Sequence, residues 1–78
     1  MVNIDLQKAI LDVVENQIRE NNPPSTKKTF DRLLKNGHSE VDAMKLIGSA
    51  VAIEIYEVLK NKKPFDEKRY VKALRKLA

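Results

Sequence analysis

Along residues 4–20, Leu6, Ile10, Val13, Val14 and Ile18, with Ala9 beside them, recur at steps of three and four. That is the period of one buried helical face, and Asn3 is placed to cap the predicted helix. Asn21, Asn22, Pro23 and Pro24 end it. A second, shorter helix is predicted to start at Ser25 or Thr26, since either hydroxyl can accept a hydrogen bond from a first-turn amide. It runs through Phe30, Leu33 and Leu34 to Gly37, which can take the left-handed conformation that closes a helix, while Lys35 suits the negative end of its dipole.

Ser39-Glu40-Val41-Asp42 opens the third helix, with a capping hydroxyl and an acidic residue three positions on. From Ala43 to Leu59 the apolar positions surround most of the helix, so residues 40–60 are predicted to be its central element. Gly48 within it costs about 1 kcal/mol of helix propensity against alanine, which points to a close approach. A neighbouring helix of the same chain is the first expectation there; a dimer contact through Gly48, Ala52 and Ile55 is the second. Asn61-Lys62-Lys63-Pro64 ends this helix, and Asp66 caps a fourth whose buried row is Tyr70, Val71, Leu74 and Leu77. Phe65, just before the cap, is placed to staple onto Tyr70. No stretch alternates with the period of a strand.

These four helices make an all-α domain over residues 1–78, a compact four-helix arrangement around the long central helix. At 78 residues the chain buries only about 60% of the surface it exposes when unfolded, so a second copy would be a natural supplement. The absence of cysteine removes disulfides, thiolate zinc sites and cysteine nucleophiles together and suits a reducing compartment. The opening residues lack the basic start and apolar run of a secretory signal. The longest nearly uncharged stretch, Leu46 to Ile53, is far short of the roughly 20 apolar residues that span a bilayer. A soluble, cytoplasmic protein without a membrane partner is expected.

Charge changes that picture in one respect. Residues 1–59 hold seven Lys/Arg against nine Asp/Glu, and residues 60–78 eight against two, so the +4 net charge sits at the C-terminus. Lys68, Lys72, Arg75 and Lys76 can project from one side of the last helix and contact phosphates, although such a row reads first as a solvated face. One histidine, no cysteine and no glycine-rich phosphate loop leave few ways to build a catalytic centre. The carboxylate pairs Glu54/Glu57 and Asp12/Glu15 read as parts of solvated faces. His38 and Asp42, four apart, could share a metal, but two ligands are too few; His38 is expected in the loop and Asp42 at the helix N-terminus. No catalytic residue, cofactor or metal is therefore expected.

Three stretches, "VENQIRENNPPSTKKTFDRLL", "GHSEVDAM" and "KKPFDEKRYVKALRKL", are similar to the helix–proline–helix connection, the glycine-to-helix turn and the closing helix of a bacterial family known only as domain of unknown function 1841. The resemblance covers nearly the whole chain. It implies a helical domain and no assigned activity. Longer members have a further N-terminal region and histidines paired as His-x-x-x-His in two helices, an arrangement that could hold a metal. In this chain the first pair is replaced by Gln7 and Leu11, and the second reads His38 and Asp42. The expectation that results is a non-catalytic protein-interaction or regulatory module, with homodimerisation as one form. Nucleic-acid binding through the basic last helix is the alternative.

Overall fold

The computed structural model of the chain describes residues 6–77, which form four helices: α1 (Leu6–Glu20), α2 (Pro24–Lys35), α3 (Glu40–Asn61) and α4 (Glu67–Arg75). The proposed Asn3 cap and the start of the first helix at residue 4 lie outside the described residues. The fold is the expected all-α four-helix domain, and α3 packs against each of the other three helices.

Local chemistry accounts for most of the boundaries. Asn21 takes φ 53° as α1 ends, and the amide of Asn22 reaches back to the Gln17 carbonyl at 3.0 Å. The same closure recurs after α2. Gly37 takes φ 101°, its amide donates to the Leu34 carbonyl, and the His38 amide donates to the Leu33 carbonyl, each at 3.1 Å. These paired bonds satisfy carbonyls that the helix end would otherwise leave open. Ser39 caps α3 by accepting from the Asp42 amide at 3.1 Å, and Asp66 caps α4 by accepting from the Arg69 amide at 3.2 Å.

The start of α2 differs from the sequence expectation. Neither Ser25 nor Thr26 is its cap: Pro23 precedes the helix, Pro24 occupies its first turn, and no side chain caps it. Proline supplies a preset backbone angle and has no amide to satisfy, so a side-chain cap matters less there. Thr26 is freed for the interior, where it is fully buried.

The core holds Val14 of α1, Leu33 of α2, Ala43, Ile47, Ala50 and Val51 of α3, and Tyr70 and Leu74 of α4. Of the row expected on α4, Tyr70 and Leu74 are fully buried, while Val71 and Leu77 are half-buried at its edges. Phe65 does lie against Tyr70, with ring centroids 5.7 Å apart. Gly48 sits beneath α1: a β-carbon there would meet Ile10 Cγ2 at 3.2 Å and Leu11 Cδ2 at 3.7 Å. The close approach is thus made by a helix of the same chain.

Candidate functional site

Helices α1 and α4 both lean on α3 while their backbones stay apart. The space this leaves is a groove of about 410 Å³ lined by Val13 and Gln17 of α1, Val51, Glu54, Ile55, Val58 and Leu59 of α3, and Phe65 and Tyr70 on the α4 side. Its walls are almost wholly apolar. Leu59 is 72% exposed, Tyr56 beside it 58%, and Ile55, Phe65 and Val13 are partly open to solvent as well.

Two polar clusters hold the groove's shape. In the first, Gln17 Oε1 accepts hydrogen bonds from Thr26 Oγ1 and from the Tyr70 hydroxyl, both at 2.8 Å, with the two hydroxyls 3.3 Å apart. One α1 side chain thereby ties α2 to α4. Burial pushes the Tyr70 phenol above its ordinary value, and the Thr26 hydroxyl, placed to donate to the phenolate, moderates the rise. In the second cluster Glu54, only 3% exposed, accepts from Arg69 Nε at 2.7 Å and from Arg69 Nη2 at 2.9 Å. The Asp66 amide adds a third bond to Glu54 at 3.3 Å. Hydrogen bonding from Arg69 holds the Glu54 carboxyl below its ordinary value, against burial, which acts to raise it. The same bond raises the Arg69 guanidinium further.

Glu54 corrects the reading of Glu54 and Glu57 as a solvated pair. It is buried because α4 and the turn before it bring Arg69 and the Asp66 amide over the C-terminal half of α3. Glu57 is half-buried and accepts from Asn61 one turn on, whereas Asp12 and Glu15 are exposed as expected. Nothing in helical spacing alone distinguishes Glu54 from Glu57; the distinguishing partner lies fifteen residues away.

Ala52 and Ile55, named with Gly48 as a candidate contact, take different places. Ala52 lines a second groove, of about 390 Å³, with Leu6, Gln7, Ile10, Leu11, Lys45, Gly48 and Ser49, and Ile55 lines the first. His38 is half-buried in the turn before α3, and Asp42 is exposed in that helix's first turn. Among the described residues, no three or more His, Asp or Glu side chains converge as a metal site would require. Lys68, Lys72, Arg75 and Lys76 are all exposed on α4 and just beyond it. Arg75 faces Lys28 and Arg32 of α2 across a cleft, an association that more than forty residues of intervening chain conceal in the sequence.

The family model for the Domain of unknown function (DUF1841) matches residues 7–76. The chain belongs to the DUF1841 family. Nothing among curated proteins or solved structures matches it. The DUF1841 match spans all four helices and therefore both polar clusters and the groove between them. At Gln7 and Leu11, where the resemblance placed a histidine pair in longer members of the family, this DUF1841 chain instead puts one exposed amide and one half-buried leucine into the wall of the second groove. None of the helices among the described residues is long and apolar enough to cross a membrane.

Proposed function

We propose that the protein is a non-catalytic interaction module that docks an amphipathic helix of a partner into the groove between α1, α3 and α4. The observation carrying this reading is the exposed apolar rim. Val13, Ile55, Tyr56, Leu59 and Phe65 are 38–72% exposed. With the two aromatic rings at roughly 150–250 Å² each and the three aliphatic side chains somewhat smaller, they present on the order of 500 Å² of apolar surface. A monomer's largest such patch is typically about 300–600 Å², and patches of that size are often functional.

The shape favours a helix over a small ligand. Pockets for small molecules run to about 300–1,000 Å³ and enclose most of their occupant. Here Leu59 and Tyr56 extend the apolar surface beyond the groove, where a small molecule would leave them wet. A helix laid along the groove covers both through apolar residues one turn apart. Lys60, Lys62 and Lys63 stand exposed at the end of α3 beside the groove and favour acidic residues flanking the partner's stripe. The polar groups nearest the groove support a non-catalytic role, since Gln17, Glu54 and Tyr70 are bonded to the protein itself.

Photo-cross-linking from position 59 in native lysate tests this reading, with position 35 on α2 as the control. A discrete adduct from position 59 alone, lost when Ile55→Glu is added, is the expected result. An adduct at twice the mass of the chain identifies the occupant as a second copy, the homodimeric form of the module. Identical adducts from both positions, or none from position 59, contradict the proposal.

A further inference from the structure

Helices α2 and α4 lie side by side with Thr26 against Tyr70 and Arg32 reaching the end of α4. Between them runs a cleft of about 260 Å³ lined by Ser25, Lys28, Thr29, Arg32, Val71 and Arg75. Arg32 is fixed in it, donating to the Leu77 carbonyl at 2.7 Å and the Leu74 carbonyl at 3.0 Å. Lys28 and Arg75 are exposed and have no ion-pair or hydrogen-bond partner among the described residues. No carboxylate lines the cleft; Asp31 and Glu67, the acidic residues of these two helices, are exposed outside it.

Charge is sorted by helix among the described residues. Four basic residues stand against one acidic in α2, and four against one in α4 with Lys76 following, whereas α1 has two against three and α3 two against four. The fold brings the two basic helices together. Cations left side by side without a counter-charge repel, and an anion in the seam relieves that repulsion.

We propose that the α2–α4 seam binds the phosphate backbone of nucleic acid, without regard to sequence. This rests on the basic seam alone and is independent of the apolar groove. A backbone fits better than an isolated phosphate because Lys68, Lys72 and Lys76 continue the row at intervals of four residues along α4 and its end. They cover about 12 Å of helix axis, beside a duplex that carries one charge per roughly 1.7 Å. No aromatic side chain lines the cleft, so the contact is to phosphates and not to stacked bases.

Fluorescence anisotropy with a labelled duplex, titrated with the full chain at several salt concentrations, tests the assignment. Binding should be weak, with Kd of about 10⁻⁴–10⁻⁶ M near physiological salt, and the logarithm of the association constant should fall linearly with log salt at a slope near −4 for about four to five phosphates. The Lys28→Glu/Arg75→Glu double variant should bind about tenfold or more weakly, with the slope reduced by roughly 2. Lys45→Glu/Lys60→Glu changes net charge equally on α3 and should cost about threefold at most, circular dichroism confirming that both variants remain helical. Absence of binding at low salt overturns the proposal, and so does equal loss in the two variants. Displacement by inorganic phosphate beyond that caused by chloride at matched ionic strength overturns it too, by assigning the cleft to an isolated phosphate.

Discussion

The two halves of α3 carry apolar residues at similar density and put them to different use. From Ala43 to Val51 they face inward, and Ala43, Ile47, Ala50 and Val51 are buried against the other helices. From Ala52 to Leu59 the buried position is taken by Glu54, while Ile53, Ile55, Tyr56 and Leu59 are exposed. Burial in the first half stabilises the fold. Exposure in the second half does not, and it is that half which provides the wall of the groove. A helix apolar all round is thus a core element over part of its length and an exposed groove wall over the rest.

The largest effect separating the halves should come from Ile47→Ala, a fully buried truncation expected to cost about 2–5 kcal/mol in urea unfolding. A loss below 1 kcal/mol would place the core elsewhere. Next comes the ion pair beneath the groove. Arg69→Ala leaves Glu54 buried and charged without its partner, whereas Glu54→Gln removes the charge and leaves Arg69, 37% exposed, free to turn to solvent. Arg69→Ala should therefore lower the melting temperature more. Reversal of that order would mean that Glu54 is solvated after all.

Acid sharpens the same point. The folded carboxyl of Glu54 titrates below its ordinary value near 4.5, so the unfolded chain takes up the proton first as pH falls. The stability due to this pair is present above about 4.5 and lost as pH drops through the lower folded value. Subtracting the Glu54→Gln melting profile from the wild-type profile should expose this acid limb; parallel profiles would exclude it. Tyr70→Phe removes one of two hydroxyls donating to Gln17 Oε1 and should cost about 1 kcal/mol. The smallest effect is expected at the exposed end of α3, where Leu59→Ala should change stability by no more than about 0.5 kcal/mol.

Much of the fold was legible from residue order, for physical reasons that act over a few residues. Ser39 and Asp66 cap helices three residues away, Gly37 closes α2 through its own backbone, and Gly48 marks the helix crossing because a side chain there would press on Ile10. What the sequence hid depends on distant partners. Thr26 read as a cap because its hydroxyl suits one, yet it serves a cluster with Gln17 and Tyr70, the latter forty-four residues away. Glu54 read as solvated because Arg69 lies beyond a turn and on another helix. For the candidate sites, the row from Lys68 to Lys76 was visible as a periodic charge, but its association with Lys28 and Arg32 comes only from helix packing. Ile55 stood out by its spacing, while the groove that gives it meaning needs Val13 and Phe65 beside it.

The most direct test sets Leu59→Glu against Ile47→Ala, reading both thermal melting and partner capture from the groove. The account predicts that Leu59→Glu melts within about 2–4 °C of wild type and loses the captured partner. Ile47→Ala should melt far lower and, below its transition, still capture. If Leu59→Glu instead unfolds as readily as Ile47→Ala, or captures as well as wild type, the exposed half of α3 is not a docking surface.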